Sequence, residues 1–296
     1  MLSGVDGVSS LRVGNIYGHG FNAEQRAALE ASGFCFRSEV STYAGSQLCS
    51  FLDFAHGPSL ELIEVTDRGD YASFVPRGME PYCPGISLEV EDGSPAQLDG
   101  FERSFADLEP YRLHVAYPDA ALAEAAESPG WHYLNFARPV IPGAFVWLTA
   151  FDQPRPTISR RTAHPNGVRG VTALVFDGAT RLDRVARLAG GTAEPPELGD
   201  VRLVTVDGSD AGRFPLRAVV LMADSLDVFG AQPRADEATR LLGRPVVRIA
   251  TNPPAWDLWI TTGIPRSADG PKTTTGLDGV APDCTRKQVP GPGEPV

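Results

Sequence analysis

Apolar and polar positions alternate along this chain in short runs broken by glycine, proline or asparagine, with a helical pattern between them. Leu11 to Tyr17 reads as a strand with Val13, Asn15 and Tyr17 on one face and Ile16 on the other. Gly18-His19-Gly20 ends it. Asn22 is placed to cap a helix over Ala23–Ala31, and Gly33 sits where that helix should stop. Strands are then expected near Phe34–Arg37, Gln47–Phe54 and Leu60–Val65, the last two joined by a turn containing Gly57 and Pro58.

The order then recurs. A strand is expected at Gly85–Glu91, a helix over Ser94–Ala106 with Leu98, Phe101 and Phe105 at helical spacing, and strands at Arg112–Ala116, Trp131–Phe136 and Ala144–Phe151. After a proline-rich stretch, Pro154–Asn166, a third pass gives a strand at Gly170–Phe176, a helix at Thr180–Leu188 and a strand at Val201–Val206. The fourth has a strand at Leu216–Met222, a helix over Ala235–Leu242, and strands at Val246–Ile249 and Leu258–Thr261. This is a recurring strand–helix–strands unit, hence an α+β protein of tandem βαβββ modules forming cupped antiparallel sheets. Paired modules are expected at 8–154 and 164–263. The segment 265–296, rich in Pro and Gly without apolar periodicity, is expected to be a disordered tail.

Composition narrows the partners. The chain has 296 residues and a formal charge of −11, which speaks against a general polyanion binder and for a small-molecule partner rather than nucleic acid. No apolar run is long enough for a membrane span, and no leader pattern is visible at the N-terminus, so a cytoplasmic location is expected. Cys35, Cys49, Cys83 and Cys284 are widely spaced and lack a CxxC pair, so free thiols are expected. No dinucleotide loop, GxSxG elbow, HExxH or Walker motif is present.

Three stretches carry a family resemblance: SQLCSFLDFAHGPSLELIEV at Ser46–Val65, FVWLTAFDQP followed by HPNGVRGVTALVF, and the module order over about 11–262. The chain resembles the vicinal oxygen chelate superfamily, which includes glyoxalase I, bleomycin-resistance proteins and extradiol dioxygenases, and most closely its glyoxalase-like branch. The resemblance implies a small-molecule enzyme: a lyase, isomerase, or ring-forming or ring-opening catalyst on an oxygenated substrate, assisted by one divalent metal ion. The rival it allows is a metal-free binding or antibiotic-sequestering protein, and more remotely a non-haem iron dioxygenase needing two histidines and one carboxylate. A homodimer is compatible with each. Glu61 matches the family's last-strand metal position, and the resemblance makes it a ligand or base with His19 or His132 as partner. The family's first-strand histidine falls here at Arg12 or Val13, and the second module's last strand has no acid before Asp152.

Read from the residues alone, Glu61 stands out because a carboxylate in an apolar strand needs a metal, a cation or a raised pKa. Alternation sends Glu64 to the opposite face. His132, in WHYLNF, shares a face with Leu134, as a cavity residue or a hydrogen-bonded core histidine. His19 lies between two glycines in a loop. Asn15, Tyr17, Glu89, Trp131 and Trp147 are the candidate substrate-binding residues. His164 is expected to shape a turn, and His56 and His114 to be structural or exposed.

Overall fold

The computed structural model describes residues 11–37, 41–43, 46–90, 95–116, 130–152, 163–190, 197–207, 214–229, 245–249 and 256–262. The helix expected at Ala235–Leu242 and the segment 265–296 lie outside them.

The first module is β1 (Leu11–His19), α1 (Ala23–Ala31), β2 (Ser41–Tyr43), β3 (Gln47–Leu52) and β4 (Ser59–Val65), followed by α2 (Arg68–Phe74). The second is β5 (Gly85–Val90), α3 (Leu98–Ser104), β6 (Pro110–Ala116), β7 (Gly130–Phe136) and β8 (Phe145–Phe151). The rest comprises β9 (Val168–Asp177), α4 (Asp183–Leu188), β10 (Glu197–Leu198), β11 (Val201–Val206), β12 (Leu216–Ala223), β13 (Val246–Arg248) and β14 (Asp257–Thr262). They form an eight-stranded sheet, β2-β3-β4-β1-β5-β8-β7-β6, and a six-stranded sheet, β10-β11-β9-β12-β14-β13. The tandem-module α+β class stands, with mixed pairing: β1 runs parallel to β4, β5 to β8, β9 to β11 and β12 to β14. Modules meet through the antiparallel pairs β1/β5 and β9/β12.

Helix α1 forms where its cap predicts. Asn22 accepts from the Gln25 N–H, and the Gln25 side chain accepts from the Asn22 N–H, a reciprocal capping box. Phe34–Arg37 is not a strand. Its backbone takes other partners: the Cys35 N–H donates to His164 and the Arg37 N–H to the Phe51 carbonyl. The helix expected at Ser94–Ala106 shortens to α3 flanked by 3-10 turns at Pro95–Gln97 and Ala106–Leu108. Helix α2 was not expected, because Gly69 and Pro76 weaken its pattern; Asp67 caps it by accepting from the Gly69 and Asp70 N–H groups.

The helix-bearing faces of both sheets share one apolar cluster, to which Ile16, Leu60, Leu62, Leu88, Phe101, Leu134, Leu174, Val185, Leu221 and Ile260 all contribute. The sheets approach closely at Gly18, where an added Cβ would lie 2.7 Å from Trp256 Nε1. His164 ties the same junction: Nδ1 accepts from the Cys35 N–H at 3.0 Å and Nε2–H donates to the Asp53 carbonyl at 3.1 Å. It does form the expected turn, since the Gly167 N–H donates to its carbonyl, but its buried ring is also a strut between the sheets.

Candidate functional site

The face of the eight-stranded sheet turned away from the helices carries most of the candidate residues, and strand alternation explains why. A bulge between Val13 and Asn15 reverses the alternation in β1. Leu11 and Val13 therefore join the helix-side core, while Asn15, Tyr17 and His19 point the other way. In β4 alternation puts Glu61 and Ile63 on that second face and Leu60, Leu62 and Glu64 on the other. Ser87 and Glu89 on β5, Trp131 and Tyr133 on β7, and Trp147 and Thr149 on β8 complete it.

Part of this face is filled rather than open. Tyr17, Cys49, Ile63, Cys83, Phe145, Trp147 and Phe214 form an apolar cluster, with Met79 and Tyr82 packed against it. The Tyr17 ring packs tilted against Trp147, centroids 5.4 Å apart, and its hydroxyl donates to Met79 Sδ. Gly85 makes room for that ring, since a Cβ there would fall 2.0 Å from Tyr17 Cε1.

A polar strip crosses the same face. The Asn15 amide donates to Glu61 Oε2 at 2.7 Å, and the Cys49 thiol bonds the same carboxyl. Ser87 and Thr149 share a hydroxyl bond at 2.7 Å. Glu89, an expected substrate-binding residue, is held by Arg12 at 3.0 and 3.2 Å. Glu61 keeps some exposed surface, but burial raises its carboxyl pKa, against the opposing pull of Cys49, Asn15 and Arg37. Burial, followed by the nearby thiol and phenol groups and Glu61, pushes Tyr17 well above its ordinary range. On this face the buried Asn15 Oδ1 and the indole Nε1 of Trp147 have no hydrogen-bond partner among the described residues. Register aligns them, since Asn15 pairs with Ser87 and Ser87 with Trp147. Trp131 and Tyr133 lie half-buried nearby, their rings 6.0 Å apart.

Of the two expected partners of Glu61, His19 shares its face on the adjacent strand, where Tyr17 pairs with Glu61 and His19 with Ile63. His19 is a buried strand residue, not a loop residue. Its Nδ1–H donates to the Cys83 carbonyl at 3.2 Å, and its ring meets Tyr17, Tyr71 and Tyr82. Burial lowers its pKa to about 4, with the Cys83 hydrogen bond opposing. Tyr17 lies between the two, its ring 5.2 Å from that of His19 and its backbone paired with Glu61, while the Glu61 carboxyl faces an amide donor and a thiol.

His132 points the other way, on the helix side with Leu134, and β7 lies four strand spacings from β4, about 19 Å. There it stacks on His114 at 4.3 Å, and both rings reach Asp152: His132 Nε2 to Oδ1 at 2.9 Å and His114 Nε2 to Oδ2 at 3.1 Å. Sequence reading missed His114 and Asp152 as a site. His114 and His132 are direct cross-strand partners, but residues 117–129 separate their strands, so no tight turn fixed the register in advance.

No family model matches the chain, and no curated protein matches it. Solved structures do. It is similar to the 2,3-dioxygenase LapB from Pseudomonas sp. KL28 at 11% identity and a TM-score of 0.51, covering 87% of this chain and 94% of that one. It also matches a catechol 2,3-dioxygenase at 13% identity, a TM-score of 0.46 and coverage of 86% and 89%. A 2,2',3-trihydroxybiphenyl 1,2-dioxygenase from Sphingomonas wittichii strain RW1 matches at 15% identity, a TM-score of 0.46 and coverage of 86% and 91%. At such identities the likeness concerns the fold alone: this chain has a glyoxalase-like fold of tandem βαβββ modules. Among the described residues no helix is long and apolar enough to cross a membrane.

Proposed function

We propose that this chain is a small-molecule enzyme of the vicinal oxygen chelate type, of lyase or isomerase chemistry, acting on an oxygenated substrate against the polar strip of the eight-stranded sheet. The observation that carries the proposal is a carboxyl group with a raised pKa, held by Asn15, on a face that also leaves an acceptor and a donor unpaired. A substrate hydroxyl satisfies Asn15 Oδ1, and a substrate carbonyl or hydroxyl oxygen accepts from Trp147 Nε1–H. Glu61 then exchanges a proton with the carbon or oxygen between those two points. A raised carboxyl pKa moves it toward neutrality, where proton transfer in both directions is efficient. The proposal keeps 8–154 and 164–263 as two domains, with this chemistry in the first.

The rival reading is a metal-free sequestering protein, favoured by the aromatic packing of Tyr17, Trp147 and Phe145 beside the strip. A dioxygenase reading needs two imidazoles and a carboxylate next to the substrate, and the strip does not offer them among the described residues.

Proton exchange separates the first two. Hydroxyacetone and related 2-hydroxyketones incubated with the protein in D2O should incorporate deuterium beside the carbonyl, followed by NMR. Glu61→Gln should slow this by about 10²–10⁴-fold, and Glu64→Gln should leave it unchanged. Equal exchange by wild type and Glu61→Gln would remove Glu61 from the chemistry. Quenching of tryptophan fluorescence by these compounds without any exchange would favour sequestration.

A further inference from the structure

We propose that His114, His132 and Asp152 form a binding site for a divalent first-row transition ion, zinc foremost, on the face opposite the polar strip. Three adjacent strands build it. His114 and His132 face each other across β6 and β7, His132 pairs with Ala150 on β8, and Asp152 follows β8 directly. The Asp152 N–H donates to the Gly130 carbonyl at 3.2 Å, which fixes the residue bearing the carboxylate. Sheet backbone therefore holds both imidazoles, and a hydrogen bond to the sheet holds the residue with the carboxylate, the arrangement that gives a precise site.

The donor set suits the ion. Two imidazole nitrogens and a carboxylate are the ligand types of a three-ligand zinc centre with one position left for water, and of related iron and cobalt centres. The ligand atoms lie within 4.8 Å of one another, with Nε2–oxygen separations of 2.9 and 3.1 Å. Bonds of about 2.0–2.1 Å in a tetrahedron put ligand atoms about 3.4 Å apart, so small side-chain movements admit the ion. Each ring then carries its proton on Nδ1 instead of Nε2.

Among the described residues, the side chains that reach the Asp152 carboxylate are the two imidazoles. Arg112, two residues before His114 on the same face of β6, is engaged by Asp99 and Glu102 of α3. Access is direct, since the His114 side chain is 48% exposed. The ion would sit across the sheet from Glu61, so this site is independent of the chemistry proposed there.

The test uses the untagged full chain, stripped with chelator and titrated with Co²⁺ as a visible-spectrum probe. One equivalent should give a saturable d–d band, which Zn²⁺ displaces. His132→Ala and Asp152→Asn should each abolish the band, while His56→Ala, which removes an exposed imidazole elsewhere, keeps it. His114→Gln, at a half-exposed edge position, serves if the other variants fail to fold by far-UV circular dichroism. A wild-type chain without saturable binding, or a band that survives in folded His132→Ala, Asp152→Asn or His114→Gln, overturns the proposal.

Discussion

The two sheets put opposite chemistry at matching places on their outward faces. In the eight-stranded sheet Asn15 pairs with Ser87 and Tyr17 with Gly85 across the module junction. In the six-stranded sheet the corresponding pairs are Ala173 with Val220 and Val175 with Ala218. The parallel neighbours match as well: Glu61 lies beside Tyr17 as Val204 lies beside Val175, and Trp147 beside Ser87 as Trp259 beside Val220. Ala173, Val175, Val204, Ala218 and Val220 form a buried apolar cluster with Val206 and Trp259 against it. One backbone thus carries a hydrogen-bonded strip in one sheet and a hydrocarbon surface in the other. The geometry of the module does not dictate the chemistry; the residues at a few register positions do.

Val204→Glu breaks this contrast hardest. It installs the counterpart of Glu61 where Ala173 stands instead of Asn15, so the carboxylate gains no amide donor, and Arg202 is already turned toward Glu197. A loss of about 3–5 kcal/mol in urea denaturation is expected. Adding Ala173→Asn should recover about 1–2 kcal/mol by supplying the donor. A double variant no more stable than Val204→Glu alone would confine the correspondence to the backbone.

Gly85→Ala is the next test. The corresponding residue in the other sheet, Ala218, already carries a Cβ opposite Val175. At Gly85 that carbon would overlap the Tyr17 ring, 2.0 Å from Cε1. Tyr17 must leave its contact with Trp147, for a loss of about 1–3 kcal/mol. The near-ultraviolet circular dichroism of that aromatic pair should change as well. An unchanged spectrum would show that Tyr17 is not locked by the missing Cβ.

Much of the outward strip was legible in the sequence, because alternation groups Asn15 with Tyr17 on β1 and separates Glu61 from Glu64 on β4, although it also sets Val13 beside the first pair. The reversal at Gly14 was not legible, since only the pairing of Val13 with Leu88 and Asn15 with Ser87 reveals it. For His132 alternation left two faces open: Trp131-x-Tyr133 and His132-x-Leu134 are equally good core patterns. The helices decided, drawing Leu134 and Phe136 into the shared cluster. Phe34–Arg37 had a strand's composition, but its partners, His164 and Phe51, come from the sheet junction and β3, beyond what a local pattern encodes.

The smallest effect concerns pH, and it sharpens the contrast because the polar strip titrates while its hydrocarbon counterpart does not. His19 has a folded pKa of about 4 against an ordinary 6.5. Below about pH 6.5 the unfolded chain takes up a proton that the folded chain refuses, so this residue makes stability fall as pH drops toward about 4, by at most ~1.4 kcal/mol per unit. His164, also lowered by burial, acts with the same sign. Glu61 acts oppositely. Its folded pKa lies above the ordinary 4.5, so as pH rises from there the unfolded chain ionises first and stability falls. The slopes oppose each other from about pH 4.5 upward, and the wild-type profile should be shallow there. Glu61→Gln removes one of them, so its urea midpoint should climb with pH between about 4.5 and 6.5 more steeply than wild type. His19→Gln keeps a donor for the Cys83 carbonyl and removes the other, which should tilt the profile the opposite way. Superimposable profiles for wild type and Glu61→Gln would mean that the Glu61 carboxyl titrates as it does in the unfolded chain, and the argument for it as a tuned proton carrier would fail.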